Sequence, residues 1–383
     1  MTRKISFGIV GLGLMGKEFA SAVARWCHLY DDLPIPVVKG ICETSNQAAR
    51  EWFNKYFSEG TVQFTSLDEM LSSDEIDAVY CAVPHHLHEP FYTRIIRSGK
   101  HLLGEKPFGI DKKANEAILQ ASREHPEVIV RCSSEFPYFP AMKRMIQWLE
   151  EHRYGQIIEV RSGFHHSSDL DLTKPINWKR MAEFNGEYGC MGDLGIHTSH
   201  VPFRMGWRPK SVYADLQKIV TERPDGKGNM VPCTTWDNAV LTCRADDPYT
   251  GREFSLVFEM KRMAPGATNT WFLEVYGTKG SARFSTSDPK ALYTLETTGK
   301  EQGWTRNEVG SQSFVPTITG SIFETGFSDS IQQMLAAFTY EFREDHKKHP
   351  FPNVLPEETR WSHILLTGAL ESHATGKQIK LIY

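Results

Sequence analysis

Ile5-Ser6-Phe7-Gly8-Ile9-Val10-Gly11-Leu12-Gly13-Leu14-Met15-Gly16, near the start of the chain, decides its fold. An apolar run rich in Ile and Val stops at Gly11. It hands over to residues 15–26, where Phe19, Ala22, Val23 and Trp26 recur at helical spacing. The pattern is strand, tight turn, helix. In such a turn Gly11 permits the reversal, Gly13 lets the backbone approach a pyrophosphate, and Gly16 lets the helix pack close to the strand. The phosphates then sit on a helix N-terminus, where unpaired N–H groups and the dipole favour negative charge. Gly11, Gly13, Leu14, Met15 and Gly16 are the expected dinucleotide contacts.

The alternation continues outward from this loop. A buried strand at 37–42 ends at Glu43, where a carboxylate accepts ribose hydroxyls and repels a 2′-phosphate, so NAD is expected rather than NADP. The interval from Gly16 exceeds the usual ~20 residues, and the irregular insertion at 28–36 accounts for the excess. A helix at 48–56, a strand at 62–65, a short helix at 67–71 and a strand at 78–83 follow. Strands alternating with helices predict a parallel sheet covered on both faces. Pro84 ends the fourth strand at the edge where ligands bind in such folds, with His85, His86 and His88 behind it. No cysteine or carboxylate set completes a metal site there. Pro84 and His88 are therefore read as cofactor-edge or capping groups, and no metal is expected. Gly99 caps the next helix, and a strand at 101–104 leads into Glu105-Lys106-Pro107. The proline restricts Lys106, which stands beside the dinucleotide crevice, placed to touch both nicotinamide and substrate. A helix at 112–124 and a strand at 128–132 close this half.

At 383 residues the chain exceeds the size of a single core, so two domains are expected. The composition, 23% charged and 40% hydrophobic, is that of an ordinary water-soluble globular protein. A net charge of -4 argues against a nucleic-acid surface. No run approaches the ~20 apolar residues of a membrane span. Seven scattered cysteines without a CxxC pair read as buried thiols of a reducing cytoplasm.

The second half carries a helix at 141–151 and an extended run at 156–166. Strands follow at 211–219, 238–244, 254–260, 271–276 and 281–285, several alternating apolar with polar residues as antiparallel sheets do. Helices at 331–346 and 356–373 and a strand at 378–382 finish the chain. The chemistry concentrates between Phe164 and Met205. Asp193 and His197 are four apart and share one helix face. Near the helix start Asp193 is favoured as an anion, and His197, titrating near neutrality, can accept a proton. Gly192 and Gly195 leave room for a ligand. His200 offers a third metal ligand, but the metal-free reading is kept. Around this pair stand His165, His166, Asp169, Asn177, Trp178, Lys179, Arg180, Glu187 and Tyr188. Rings mixed with polar groups suit a polyhydroxylated ligand. His165, Trp178 and Tyr188, with Lys106, Asp193 and His197, are the expected substrate contacts, and Lys179 and Arg180 leave an acidic sugar open.

These motifs together resemble the Gfo/Idh/MocA family of glucose–fructose oxidoreductase and inositol dehydrogenase-like enzymes. The resemblance rests on Gly11/Gly13/Gly16, Ala82-Val83-Pro84 with His88-Glu89, Gly99-Lys100-His101 leading to Glu105-Lys106-Pro107, Gly192-Asp193-Leu194-Gly195-Ile196-His197, and Val275-Tyr276-Gly277-Thr278-Lys279-Gly280. It implies an α/β Rossmann domain, placed at 1–134, and an α+β domain with an open, mostly antiparallel sheet at 135–383. It further implies substrate between the domains, assembly by sheet stacking into a homodimer or homotetramer, and a cis Lys106–Pro107 peptide. Glu105 joins the expected cofactor contacts. Relatives usually carry Asn or His with Arg after the sixth strand, whereas this chain has Glu135, Phe136, Pro137 and Tyr138. The expected activity is NAD-dependent oxidation of a secondary alcohol of a sugar, glycoside or cyclitol. His197 serves as general base, Lys106 polarises the oxygen, and Asp193 orients substrate and lysine. Two alternatives stand beside it: an NAD-retaining glycosidase or lyase acting through transient oxidation, and a non-catalytic NAD-bound regulator.

Overall fold

The structure is a computed structural model and describes residues 3–57, 59–297, 300–310, 312–320, 325–345 and 347–383. Its first part alternates β1 (Lys4–Val10), α1 (Leu14–Ala24), β2 (Ile35–Cys42), α2 (Gln47–Phe57), β3 (Val62–Gln63), α3 (Leu67–Leu71), β4 (Ala78–Cys81), α4 (His88–Arg97), β5 (His101–Gly104), α5 (Lys112–Glu124) and β6 (Val130–Cys132). All six strands pair in parallel in the order β3-β2-β1-β4-β5-β6. The order reverses between β1 and β4, and a ligand crevice opens at such a switch point. Strands β1, β4 and β5 read as continuous apolar runs because helices cover both faces. Strand β3 is shorter than its sequence suggests, since it lies at the sheet edge with both residues exposed.

The remainder comprises α6 (Pro140–Glu150), β7 (Ile157–His166), α7 (Ala182–Asn185), α8 (Cys190–Arg204), β8 (Pro209–Gln217), β9 (Glu222–Pro224), β10 (Met230–Pro232), β11 (Asn238–Asp246), β12 (Glu253–Lys261), β13 (Asn269–Gly277), β14 (Gly280–Ser285), β15 (Ala291–Glu296), β16 (Thr305–Glu308), α9 (Phe327–Tyr340), α10 (Pro356–Thr375) and β17 (Ile379–Lys380). Among the described residues nine strands form an open sheet, β16-β15-β14-β13-β7-β12-β11-β8-β17, in which only the β7–β12 pair is parallel. The sequence pattern did not announce β15, β16 or the small β9–β10 hairpin. The helix predicted at 331–346 starts earlier, at Phe327, and ends at Tyr340; its predicted last residue lies outside the described residues.

One face of this sheet carries Val160, Phe164, Phe258, Met260, Trp271 and Leu273, all buried in the core beside α6, α8 and α10. The other presents Arg161, whose guanidinium lies 2.8 Å from Glu259 and 3.8 Å from Glu274. The last two long helices tie the sheets together. Gln332 of α9 donates to the Arg25 carbonyl after α1 at 2.6 Å. On α10, Thr359 accepts from Asn115 of α5 at 2.9 Å, and His363 Nε2 lies 2.8 Å from the Pro107 carbonyl. The Lys106–Pro107 peptide is cis. The turn after β5 and helix α8 are thus held in one frame. The cysteines are all unpaired, and Cys27 alone is exposed.

Candidate active site

At the switch point the glycine loop divides its work among three positions. Gly11 has φ +84, and a Cβ there would meet the Ala82 carbonyl oxygen at 2.5 Å. A Cβ on Gly16 would fall 2.2 Å from the Gly11 carbonyl oxygen, so only glycine lets α1 sit this close to β1. Over Gly13, at the N-cap of α1, a Cβ would meet nothing within 4 Å, and no side chain caps the helix or places an acid in its first turn. Open space over an uncapped helix N-terminus fits the pyrophosphate of a dinucleotide. Leu14 is exposed, and Met15 packs on the core.

Glu43 sits at the end of β2, as read from the sequence. Its carboxylate accepts from the Leu12 N–H at 2.9 Å and from the N–H groups of Ser45 and Asn46 at 2.9 and 3.0 Å. Burial resists ionisation, but these donors and the Ser45 hydroxyl outweigh it and hold the pKa below the ordinary carboxylate range. The group is therefore a fixed anion, partly exposed, tied to the glycine loop.

The second focus is Asp193, in the first turn of α8, a helix buried from Cys190 to Phe203. A charge in such a helix needs partners, and it has three. Lys106 Nζ lies 2.8 Å from Oδ1 and donates to the Asp193 carbonyl at 2.8 Å; Lys179 Nζ is 3.0 Å from both oxygens; Arg262 reaches Oδ2 at 3.3 Å. Burial opposes ionisation, but Lys106, then Lys179 and Arg262, hold the carboxyl well below its ordinary pKa. The Lys106 ammonium is raised above its usual value against burial, chiefly by Asp193.

His197, one turn along, is buried between Phe136 and Phe164, with both rings edge-on to the imidazole. Its Nδ1 lies 3.3 Å from Ser134 Oγ and 3.8 Å from Glu135 Oε2. Burial first, then Lys106, push its pKa well below the ordinary imidazole value, with Asp193 pulling the other way. The sequence reading of a histidine titrating near neutrality is corrected: His197 is a neutral imidazole.

Several expected contacts lie elsewhere. Strand alternation sends His165 to the open face, 3.4 Å from Glu259, and turns His166 toward the Asp193 cluster instead. Tyr188 is buried, its hydroxyl 2.7 Å from Thr367 on α10. His88 is fully buried, with Nε2 on the Val83 carbonyl at 3.0 Å and Nδ1 taking the Gly109 N–H at 3.4 Å, so both ring nitrogens are spent on anchoring the loop that carries Pro84. The Glu105 carboxylate accepts from the Tyr80 and Ser133 hydroxyls at 2.6 and 2.5 Å and braces the turn that presents Lys106. Arg180 is buried against Asp237 and Asp169, leaving Lys179 as the cation of that pair in the site. Gly192 and Gly195 face Tyr188 and Leu366 packing. His200 turns away to Arg204 and Phe351, and among the described residues no group of three or more His, Cys, Asp or Glu could hold a metal ion.

Trp178 lies beside this cluster: its ring meets His85 edge-on at 4.9 Å, and Lys179 lies over it. Residue Arg262 went unread. It follows the inward Phe258 and Met260 at period two, which puts a charge on a buried face and demands a carboxylate.

Comparison with known proteins agrees with this architecture. A family model described as an oxidoreductase family with an NAD-binding Rossmann fold matches residues 5–132, and one for the Gfo/Idh/MocA C-terminal domain matches 142–283. Levoglucosan dehydrogenase of Pseudarthrobacter phenanthrenivorans is 24% identical over 298 residues, 74% of each chain. A scyllo-inositol 2-dehydrogenase (NADP(+)) of Bacillus subtilis is 24% identical over 238 residues, 62% of this chain and 69% of that one. The solved structure of levoglucosan dehydrogenase with NADH and levoglucosan has the same fold, with TM-score 0.86 at 21% identity over 100% of both chains. With its NAD-binding Rossmann sheet, its open mixed sheet and both domain models matched, the chain belongs to the Gfo/Idh/MocA oxidoreductase family.

Proposed function

We propose that this oxidoreductase moves hydride between NAD and a secondary alcohol of a sugar, a glycoside or a cyclitol. The observation that carries the reading is Lys106, held 2.8 Å from Asp193 at the end of β5, with the neutral base His197 one helical turn further on. When bound, NAD supplies the hydride chemistry. Lys106 holds the substrate oxygen and stabilises negative charge on it as the O–H bond breaks. His197 takes the hydroxyl proton. Asp193 keeps Lys106 charged and aimed. Trp178, beside Lys179 and His85, offers a ring face to the C–H side of a polyol. The names of the two relatives point to sugars and cyclitols as the class.

Glu43 favours NAD, since a 2′-phosphate would meet its fixed negative charge. In this reading residues 1–134 carry the cofactor, and 135–383 carry the substrate and, through the open sheet face, the contacts of a homodimer or homotetramer. The test is NADH absorbance with purified protein, NAD or NADP, and a panel of cyclitols, aldoses, glycosides and sugar acids. Turnover with NAD on one stereochemical group is the expected result. Preference for NADP overturns the role of Glu43. Product formed without net NADH moves the protein to the transient-oxidation reading.

A further inference from the structure

We propose that Glu135 is the proton acceptor behind His197: as a substrate hydroxyl proton arrives at Nε2, the Nδ1 proton passes to the Glu135 carboxylate. The inference deepens the dehydrogenase reading above and rests on it. Glu135 acts through His197 and is in that sense a positioning residue.

The geometry is that of an unspent group. Glu135 lies in the turn after β6, nearly fully buried, and its Oε2 has no hydrogen-bond partner among the described residues. Buried polar atoms are almost always paired, so an orphan asks for a role. This one lies 3.8 Å from His197 Nδ1, and Ser134 Oγ stands 3.3 Å from the same nitrogen. A hydroxyl or carboxylate accepting there fixes the tautomer with its proton on Nδ1 and leaves Nε2 free as the base. Such contacts are often long without substrate and tighten when it binds.

The surroundings explain why an acceptor is needed. His197 is enclosed by Phe136 and Phe164 and lies within the field of the Lys106 cation, so an imidazolium there is strongly disfavoured. A base that cannot keep the proton it takes must pass one on. Glu135 can receive it, because burial and the neighbouring Glu105 raise its pKa to about 8, with Lys106 opposing. The titratable groups around it are Tyr80 from β4, Glu105 and Lys106 from the turn after β5, Cys132 from β6 and His197 from α8. Lys106 is the cation among them and favours the ionised carboxylate that the relay starts from.

The step balances. The substrate O–H bond breaks and Nε2–H forms; Nδ1–H breaks and the Glu135 O–H forms; the carbinol hydrogen leaves with its electron pair to NAD, and the alcohol becomes a carbonyl. After product leaves, the proton returns from Glu135 to Nδ1 and the Nε2 proton passes to water.

The experiment compares wild type, Glu135→Gln and Glu135→Asp as NAD-bound protein. Infrared difference spectra and the ¹⁵N signals of His197 are followed against pH, and kcat/KM is followed with levoglucosan and myo-inositol. In wild type a buried carboxylic-acid band should vanish near pH 8, the His197 Nδ1 signal should move over the same range, and kcat/KM should rise with it. Glu135→Gln should lose the band, the movement and the rising limb, with kcat/KM lower by about 10²-fold; Glu135→Asp should keep all three. No titrating band in wild type, or an unchanged limb and His197 signal in Glu135→Gln, overturns the proposal. Absence of turnover with both polyols counts against the substrate class, while the spectra still decide the role of Glu135.

Discussion

Two carboxyl groups, both almost fully withdrawn from water, reach the surroundings of His197 from different elements and end in opposite states. Asp193, on α8, meets Lys106, Lys179 and Arg262 and is held ionised. Glu135, in the turn after β6, meets an imidazole at 3.8 Å and a second carboxylate, and keeps its proton to about pH 8. Burial alone pushes both upward; the cations decide. One group is a permanent anion that aims a lysine, and the other is a group whose proton is exchangeable.

The largest break in this contrast is Asp193→Asn. It leaves three cations facing one another around a neutral amide, so we expect turnover to vanish and stability to fall by about 3 kcal/mol, the lower end for removing a partner from a buried ion pair, because Lys179 is partly exposed. Urea unfolding with NAD-binding titration would check it; near-wild-type stability would mean the carboxylate charge is not what assembles the cluster. In wild type the sign is fixed by the depressed pKa: the contribution is present above the ordinary carboxylate pKa and is lost as pH falls through the folded value.

Next come Lys106→Ala and His197→Ala. Both are expected to lower kcat/KM by about 10²–10⁴-fold while NAD still binds, because the glycine loop and Glu43 belong to other elements. Wild-type rates in either variant would remove these residues from the chemistry.

A smaller effect sharpens the other side of the contrast. Glu135 has a raised folded pKa, so between its unfolded value near 4.5 and about 8 the native state holds a proton that the unfolded chain has lost. Stability therefore falls with rising pH across that window. Glu135→Gln should flatten this slope in urea midpoints measured from pH 5 to 8. A slope identical to wild type would place the titration on another group.

The same contrast explains what was legible in the sequence. The parallel sheet and the glycine loop were readable because their determinants are local: Gly11 needs positive φ and Gly16 a close backbone, each within one strand-turn-helix unit. Lys106, Asp193 and His197 carried motifs. Arg262 and Glu135 take their meaning from groups far along the chain, Arg262 lying 69 residues from Asp193; the period of β12 puts Arg262 on a buried face, but no local pattern names the carboxylate it meets. The ordinary imidazole value assigned to His197 was misread for the same cause, since the phenylalanines that desolvate it come from the β6 turn and from β7.

The smallest effects test strand and helix geometry directly. His165 and His166 are adjacent in β7, yet alternation sends one to Glu259 on the open face and the other toward Asp193. His166→Ala should alter KM or kcat, and His165→Ala should leave both unchanged; the reverse result would mean the register of β7 is shifted by one residue. Tyr188→Phe is the milder companion. It removes a hydroxyl that reaches Thr367 at 2.7 Å, so a loss of about 1 kcal/mol in urea unfolding with unaltered kinetics is expected. A changed KM instead would make Tyr188 the substrate contact that its ring among polar groups leads one to expect from the sequence.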